Sequence, residues 1–367
     1  MNRRSFIAAS ATAAALGPSV VRAQDTDIQP RLEALRAEHG LPALGGAVVT
    51  ADGLAWSGVS GVRRSGEEAP VTLADRWHLG SNTKAMTAAL FARLVEQGRT
   101  GWGAALPDLF PDIRVDPAFA TVTIEDLMRH RGAILDQSVM PGWMLLAWAG
   151  GDVRALRSQL VEAALGAPPT GAPGAFSYGN ANYILAGAAI ERITGLPWEE
   201  AMRREVFEPL GMASAGFGAP TGDQPWGHRA GVAGLQPMDP TVAGSDNPAA
   251  MGPAGTVHAG LADYARFIRV FLTDGGGWLS PESVARLTTP VADQTGAYAL
   301  GWGVLPAQPW TGGASALVHD GSNTMWLARA AVAPARRAAA ICVSNAAQPA
   351  QPAFNALTQA LIGRFPA

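Results

Sequence analysis

The sequence is poor in lysine, in cysteine and in charge, and each scarcity limits the structures or functions that the chain can have. Among its 367 residues, Lys84 is the one lysine in a total of 27 lysine and arginine side chains. The one cysteine, Cys342, excludes an internal disulfide, and its place in the apolar run AAAICVSNA predicts a buried side chain. A charged fraction of 16% and a net charge of −3 exclude a basic surface for nucleic acid or for an acidic membrane.

The first residues have the pattern of an export signal rather than of a folded element. Arg3 and Arg4 precede an Ala-rich apolar stretch that ends at Val21-Arg22-Ala23. This pattern predicts a twin-arginine signal over 1–23 and a periplasmic protein. No later apolar run is long enough to span a bilayer.

The order of apolar patterns predicts an α+β fold in a domain over 24–367. We expect an antiparallel sheet built from both chain ends, about 24–98 and 256–367, around a mostly helical part over about 99–255. A Gly- and Pro-rich stretch, 216–256, has no periodicity, which is typical of a functional or mobile loop. The predicted helices cover 28–40, 82–97, 124–129, 153–164, 181–194, 261–272 and 354–362, and the predicted strands lie in 45–64, 300–305, 324–332 and 338–344.

Ser81 and Lys84 form a Ser-x-x-Lys pair in the segment HLGSNTKAM. If a helix begins here, residues three apart share one face, and the hydroxyl and the amine can form a hydrogen bond. A lysine can lose its proton and act as a base, whereas an arginine stays protonated. The alternative is a helix-capping serine beside a solvent-exposed lysine. Because arginine provides all the other Lys/Arg-type cations of this chain, we favour a chemical role for Lys84.

Two further stretches are candidates for the same site. Tyr178 and Asn180 lie in FSYGNANYILAG, where a phenol could transfer protons and a nearby ammonium would lower its pKa. The alternative is a core tyrosine and a helix cap, although Tyr183 is the better core candidate. His319 and Gly321 lie in HDGSN, where Gly321 would let a substrate approach the main chain; the alternative is a turn before a strand.

Other catalytic signatures are missing from the sequence. It contains no Gly-x-Ser-x-Gly elbow, no His-Glu-x-x-His zinc motif and no phosphate-binding Gly-rich loop, so we predict neither a metal nor a cofactor. The remaining histidines occur singly, and we interpret each as structural or exposed rather than as a ligand. The apolar stretch 140–152 could line an acyl pocket, but core packing is the favoured interpretation.

The motifs and their order resemble the serine β-lactamase-like hydrolases, which include class C β-lactamases, D-alanyl-D-alanine carboxypeptidases and esterases. The resemblance extends over most of the chain after residue 23. It implies the β-lactamase/transpeptidase-like fold, with Ser81 as nucleophile, Lys84 and Tyr178 as general base and acid, and Asn180 beside the substrate carbonyl. It also implies an oxyanion hole made by the N–H groups of Ser81 and Ser322. The blocks that carry the resemblance are DRWHLGSNTKAMTA, IEDLMRHRGAI, FSYGNANYILAGAAIERITG, VFEPLGM, GPAGTVHAGLADYARFI, YALGWGV and HDGSN.

One departure from that family pattern bears on the substrate. Class C β-lactamases have Lys-Thr-Gly where this chain has His319-Asp320-Gly321, and no second lysine exists to replace the missing cation. A neutral histidine followed by an aspartate would hold a carboxylate poorly, and we expect Asp320 to disfavour anionic substrates. The sequence therefore predicts a hydrolase of a small-molecule ester, amide or peptide that works through an acyl-serine. A D-amino-acid peptidase, a weak β-lactamase and a penicillin-binding receptor that never turns over stay open, as does the oligomeric state.

Overall fold

A computed structural model describes residues 28–232, 234–292 and 297–366. The predicted export signal over 1–23 lies outside the described residues. Within those ranges, no helix combines the length and the apolar character needed to cross a bilayer.

A six-stranded antiparallel sheet organises the fold, with strand order β2-β1-β11-β10-β9-β8. Its two halves come from opposite ends of the chain, because β1 pairs with β11 over the register Leu44↔Ser344 to Thr50↔Ala338. This pairing confirms the predicted sheet built from both chain ends. The strands are β1 (Ala43–Thr50), β2 (Gly53–Gly61), β3 (Arg76–His78), β4 (Gly216–Phe217), β5 (His228–Gly231), β6 (Gly234–Pro237), β7 (Val257–Gly260), β8 (Gly303–Leu305), β9 (Ala316–Ser322), β10 (Leu327–Ala333) and β11 (Ala338–Ser344).

Helices cover both faces of the sheet and form the middle of the chain. One apolar cluster packs α1 and α12 against one face of the sheet. A larger cluster packs the opposite face against α2, α10 and the helical part of the chain. The helices are α1 (Ile28–Glu38), α2 (Thr83–Glu96), α3 (Leu106–Leu109), α4 (Ile124–Met128), α5 (Asp136–Ala149), α6 (Val153–Leu165), α7 (Asn180–Thr194), α8 (Trp198–Met202), α9 (Gly252–Gly255), α10 (Leu261–Arg269), α11 (Pro281–Thr288) and α12 (Ala350–Ile362).

Helix α2 lies in the centre of the molecule and is buried on nearly every side. All residues from Thr83 to Ala92 are buried, so the helix is not amphipathic, although the spacing of its large apolar residues predicted one apolar face. Small alanine and threonine side chains let neighbouring segments approach the helix from several directions. A Cβ atom on Gly301, for example, would lie 2.4 Å from Cα of Ala85. Lys84, in the first turn, is therefore enclosed by protein.

Three of the differences between the structure and the sequence prediction concern stretches that the sequence analysis singled out. Strand β9, which carries HDGSN, is an internal strand of the sheet, whereas we expected strands only on either side of it. The stretch 216–256 contains the hairpin β5–β6 in addition to irregular segments. The stretch 140–152 lies largely in α5, where Met140 and Trp143 are buried as expected but Leu145 is 72% exposed.

Candidate active site

A tight turn presents the Ser81 hydroxyl between the sheet and the helical part. Gly80 has φ +51°, which favours glycine, and it begins the single 3₁₀ turn Gly80–Asn82 that precedes α2. The Thr83 hydroxyl donates to the Gly80 carbonyl at 2.7 Å and accepts the Val257 N–H at 3.1 Å. These bonds fix the turn from both sides. Ser81 remains partly accessible, whereas the residues next to it on both sides are buried.

Lys84 is fully buried and contacts Ser81 directly. Its Nζ lies 3.0 Å from Ser81 Oγ, 2.8 Å from Asn180 Oδ1 and 2.7 Å from the Ala254 carbonyl. The amide oxygen and the carbonyl oxygen can only accept hydrogen bonds, so they take two of the amine protons. The third direction of Nζ points at Ser81 Oγ. When Lys84 is neutral, its lone pair occupies that direction and can accept the serine proton.

The surroundings of Lys84 favour the neutral amine. Burial lowers its pKa to about 7 from the usual value near 10.5, and the negative charge of Asp136 offsets part of this effect. Its three hydrogen-bond partners are all uncharged. A substantial fraction of Lys84 is thus deprotonated at neutral pH, as a general base requires.

The second candidate segment lies at the start of α7, and Asp136 holds it in place. Asp136 accepts the N–H groups of Asn180 at 2.7 Å and Ala181 at 2.9 Å, which satisfies the free donors at the start of that helix. Tyr178, two residues before α7, has its ring centroid 5.0 Å from Lys84 Nζ. Its phenol forms a side-chain hydrogen bond with Ser81. The structure therefore brings Ser81, Lys84, Tyr178 and Asn180 together.

The expected effect of Lys84 on Tyr178 is wrong. We expected a neighbouring ammonium to lower the phenol pKa. Instead, burial raises this pKa well above 10, and the hydrogen bond from Ser81 offsets the rise only in part. The charge of Asp136 raises the phenol pKa further. The reason is that burial acts on both groups: it neutralises Lys84, which removes the positive charge that would have stabilised a phenolate. Tyr178 is a protonated phenol at neutral pH.

An aromatic cluster supports the Tyr178 ring from behind. The His130 ring centroid lies 4.4 Å from that of Tyr178, and His130 Nδ1 accepts the Gly179 N–H at 3.3 Å. Tyr183 is fully buried and donates to the Met128 carbonyl at 2.8 Å, which confirms the prediction that it is a core residue. His130 also confirms the structural interpretation given to the single histidines.

The end of β9 crosses the Ser81 turn at very close range. A Cβ atom on Gly321 would lie 2.0 Å from the Leu79 carbonyl oxygen and 2.7 Å from Ser81 N, and one on Gly80 would lie 2.3 Å from Ser322 N. Gly321 is thus required because the protein's own chain approaches it, rather than a substrate as we expected. The two glycines place the main chain of Ser81 next to that of Ser322.

His319 is buried, and both of its ring nitrogens have protein partners. Nδ1 lies 2.8 Å from the Asp320 carbonyl oxygen, which can only accept, so Nδ1 carries the proton. Nε2 then accepts from the Tyr298 hydroxyl at 3.2 Å. Burial, helped by the positive charge of Lys84 when protonated, lowers the His319 pKa to about 4. His319 is neutral at physiological pH and supplies no cation to the site.

The expected role of Asp320 is also wrong. Its carboxylate forms a two-pronged ion pair with Arg329, the residue opposite it on β10, with both N–O distances at 2.7 Å. Side chains alternate along a strand, so Asp320 points away from the face that His319 and Gly321 occupy. Arg329 also donates to Asn355 and Gln351 on α12. Asp320 therefore fastens the sheet to α12 and does not face a bound substrate.

Sequence reasoning missed three contributors to this geometry. The Ala254 carbonyl is a main-chain group, so no residue type identifies it. Asp136 has no motif around it, and its role depends on a contact across 44 residues. Tyr298 was not singled out either. By contrast, Cys342 is fully buried as predicted, and burial raises the pKa of its thiol to about 12.

No group of three or more His, Cys, Asp or Glu side chains with the arrangement of a metal site occurs in the part of the chain that the structure describes.

Comparison with known proteins shows the family and the fold to which this chain is similar. A family model described as Beta-lactamase matches residues 28–364. The chain is 29% identical over 333 residues to "Penicillin-binding protein 4" of Amycolatopsis lactamdurans, covering 86% of this chain and 84% of that protein. It is 26% identical over 250 residues to "Lovastatin esterase" of Penicillium rubens, covering 60% of this chain and 61% of that protein. The structure of an octameric penicillin-binding protein homologue from Pyrococcus abyssi superimposes with a TM-score of 0.74 at 21% identity, over 92% of this chain and 78% of that one, which shows a shared fold.

Proposed function

The chain belongs to the beta-lactamase family and is a serine hydrolase, and on that premise we propose that it cleaves a small-molecule ester or amide with Ser81 as the nucleophile. The proposal rests chiefly on one observation. Lys84 Nζ is buried among uncharged groups, two of its three neighbours can only accept, and the third is Ser81 Oγ. This is the arrangement that a neutral amine needs in order to take the serine proton.

The proposed reaction has two steps with balanced protons. Ser81 Oγ attacks the substrate carbonyl carbon while its proton moves to Lys84 Nζ. The tetrahedral intermediate then collapses, and the leaving oxygen or nitrogen takes a proton from the Tyr178 phenol, which Lys84 reprotonates. Water attacks the acyl-serine in the second step, with Lys84 and Tyr178 acting in the same roles, and Ser81 recovers its proton. The raised pKa of Tyr178 suits a group that hands a proton on and never remains a phenolate.

Three groups are assigned to substrate binding. We assign the N–H groups of Ser81 and Ser322 to the carbonyl oxygen as it becomes an oxyanion, because the close crossing of the Gly80 and Gly321 segments places them side by side. Asn180 uses Oδ1 for Lys84, so its Nδ2 group is the end that can donate to the acyl side of the substrate. His319 and Gly321 line the site without contributing charge.

The geometry favours an uncharged substrate over one that carries a carboxylate next to the scissile bond. The two residues of β9 that face the site, His319 and Gly321, bring no cation, since His319 is neutral and both its nitrogens are in use. A substrate carboxylate would also oppose the neutral state of Lys84, because a nearby anion stabilises the ammonium. We therefore place esters ahead of penicillins and of peptides that end in a free carboxylate.

A substrate panel tests the proposal. Short- and long-chain p-nitrophenyl esters, D-Ala-D-Ala peptides and nitrocefin are compared with wild-type protein and with Ser81→Ala, each checked for an unchanged melting temperature. We expect ester turnover that Ser81→Ala abolishes, and far weaker turnover of the carboxylate-bearing substrates. Ester turnover that persists in Ser81→Ala contradicts the mechanism.

The alternatives have distinct kinetic outcomes in the same panel. A receptor that is acylated once, as the likeness to a penicillin-binding protein allows, gives one stoichiometric burst and then stops. A D-amino-acid peptidase turns over the peptides faster than the esters. Products in which an added alcohol has taken the acyl group reveal acyl transfer in place of hydrolysis.

The proposal also includes export by the twin-arginine route, supported by the pattern of residues 1–23. Replacing Arg3 and Arg4 together by lysine keeps the charge but removes the arginine pair. We expect the full-length precursor to accumulate in the cytoplasm, as measured by cell fractionation and mass. Normal processing of this variant rules out the twin-arginine route.

A further inference from the structure

The Gly- and Pro-rich stretch 216–256 contains a carboxylate, that of Asp246, whose side chain is only 13% exposed and which the proposed reaction does not use. Asp246 Oδ1 accepts Asn323 Nδ2–H at 2.7 Å and the Asn247 N–H at 2.6 Å. His78 Nε2 lies 3.0 Å from the same oxygen, close enough for strong attraction although poorly directed for a hydrogen bond. Three donor groups from three separate segments thus converge on one carboxylate oxygen.

The first of these segments leads to the nucleophile. His78 Nδ1 accepts the Gly80 N–H at 3.1 Å, so the proton of a neutral His78 ring is on Nε2, the atom that faces Asp246. Gly80 immediately precedes Ser81 and has the φ of +51° that sets the direction of the turn. The carboxylate therefore acts through His78 on the peptide unit next to Ser81 N.

The second segment leads to Ser322, the other residue whose N–H group we assign to the oxyanion. Asn323 follows Ser322 and donates to Asp246, while its own Oδ1 accepts the N–H groups of Met325 at 3.2 Å and Trp326 at 3.0 Å. Asn323 is buried, and these bonds fix the turn that ends β9. One side chain on each path, His78 or Asn323, thus connects the same carboxylate oxygen to the residue next to each main-chain N–H group that we assign to the oxyanion.

The third segment leads towards the base. Asn247 donates its N–H to Asp246 and its Nδ2–H to the Gly255 carbonyl at 3.0 Å. Gly255 is the neighbour of Ala254, whose carbonyl accepts from Lys84. The dipeptide Asp246-Asn247 therefore contacts every main-chain segment that meets around Ser81, except that of α7.

We propose that Asp246 is a positioning residue that fixes the Ser81 and Ser322 main-chain N–H groups relative to each other. This inference rests on the proposed function, since it concerns the oxyanion hole of that reaction. Preorganised donors stabilise an oxyanion only when their spacing is held before the charge develops. The two donors belong to segments more than 200 residues apart in sequence that touch at Gly80 and Gly321, and a shared anchor adds a second constraint on their spacing.

The negative charge of the carboxylate strengthens all three contacts, and an amide lacks it. The three donors meet Oδ1, so asparagine could keep an oxygen there, with its NH₂ group in the place of Oδ2, which accepts no hydrogen bond from the described residues. In Asp246→Asn, however, each contact would become neutral and weaker, and the anchor of both segments would loosen. The size of the side chain would hardly change.

The test compares Asp246→Asn with Asp75→Asn. Asp75 is a buried carboxylate that also accepts a main-chain N–H, that of Thr72, and it pairs with Arg63, but none of its donors belongs to the segments around Ser81. For Asp246→Asn we expect kcat for p-nitrophenyl ester hydrolysis to fall about 10- to 100-fold with KM within about twofold. The dissociation constant of phenylboronic acid, which forms a tetrahedral adduct on the serine, should rise by a similar factor. For Asp75→Asn we expect a lower melting temperature and unchanged kcat.

The outcomes separate the possible failures. Labelling with a fluorophosphonate, read by mass, gives the fraction of competent Ser81, and kcat is expressed per competent site. If Asp246→Asn keeps kcat per site and boronate affinity within about twofold of wild type, the positioning role is wrong. If both variants lose activity only in proportion to the competent fraction, Asp246 is merely structural and the inference fails. If wild-type protein shows no Ser81-dependent turnover, the proposed function fails, and the boronate comparison still decides the role of Asp246.

Discussion

Two fully buried cations, Lys84 at the candidate site and Arg157 in the helical part, have opposite electrostatic surroundings. Lys84 Nζ contacts a hydroxyl, an amide oxygen and a carbonyl oxygen, all uncharged. Arg157 is equally buried but binds two carboxylates, Glu191 at 2.6 Å and Glu199 at 2.5 Å, and also donates to the Ala250 carbonyl at 3.0 Å. Burial is the same in the two cases, whereas the charge of the partners and the type of cation differ.

The consequences for protonation are opposite. Burial lowers the pKa of both groups, but the hydrogen bonds and charges of Glu199 and Glu191 outweigh it at Arg157, whose pKa is raised. At Lys84 the charge of Asp136 offsets burial only in part, and the pKa falls to about 7. The comparison teaches that burial alone does not make a base: a buried cation becomes one when its neighbours are neutral acceptors and its side chain can release a proton.

The strongest way to break this comparison is to replace Lys84 by a cation that cannot act as a base. In Lys84→Arg, the guanidinium stays protonated and has no lone pair for the serine proton. We expect kcat/KM for ester hydrolysis to fall about 10²- to 10⁴-fold, the contribution of a positioned general base. Steady-state kinetics with p-nitrophenyl esters measure the loss.

Lys84→Met is the matched control, since it keeps a long flexible side chain without charge or base. It should be as inactive as Lys84→Arg but more stable, because the arginine buries a permanent charge among neutral groups. Lys84→Arg activity within tenfold of wild type contradicts the assignment of Lys84 as the base.

The converse experiment removes the cation from the ionic cluster. Arg157→Met leaves Glu191 and Glu199 buried without their partner, and we expect the free energy of unfolding to fall by about 3–5 kcal/mol. Burial already raises the pKa of Glu191, partly offset by Arg157, so this carboxyl would take up a proton in the variant. Urea denaturation measures the change.

Replacing Glu191 and Glu199 by glutamine together with Arg157→Met should recover part of the lost stability, because no unpaired charge then remains. If the single variant Arg157→Met is as stable as the wild type, the ionic cluster does not stabilise the fold. The difference in partner charge between Arg157 and Lys84 would then have no effect on the free energy of unfolding.

The sequence predicted seven of the helices, and every strand of the six-stranded sheet except β9, because their signals are local. The strand over 338–344 coincides with β11, and the helix over 82–97 lies within two residues of α2 at each end. Strand β9 has the mixed sequence ALVHDGS, whose polar residues are explained by partners elsewhere: Arg329 for Asp320 and Tyr298 for His319. Those contacts are absent from any local window, so the strand could not be predicted.

The candidate site was predictable in its residues and not in its electrostatics. A single lysine and a recurring motif pointed to Ser81, Lys84 and Tyr178, and the structure brings them together. The direction of the Tyr178 pKa and the orientation of Asp320 were wrong because each depends on three-dimensional burial or pairing. Asp136, at the start of α5, and Asp246, in an irregular stretch, escaped notice because no motif surrounds either residue and their partners around Ser81 lie far away in sequence.

The smallest effect we predict is a shift of the pH profile that Asp136 controls. Because neutral Lys84 is the active form and its pKa is about 7, kcat/KM should fall about tenfold per unit below pH 7 and level off above it. The charge of Asp136 raises the Lys84 pKa. Asp136→Asn should therefore move the acidic limb of the profile, where kcat/KM falls, to lower pH by less than about one unit. The variant retains relatively more of its plateau activity at pH 6.

Asp320→Asn is the matched control for this shift, since its carboxylate is paired with Arg329 on the other face of β9 and does not perturb the Lys84 pKa. Its limb should coincide with that of the wild type, measured as kcat/KM between pH 5 and 9 at constant ionic strength. A limb that moves to higher pH in Asp136→Asn, or one that moves equally in both variants, would mean that the titrating group is not Lys84. In that case the contrast with Arg157 loses its functional meaning, because the neutral surroundings of Lys84 would no longer set the pH at which Ser81 becomes reactive.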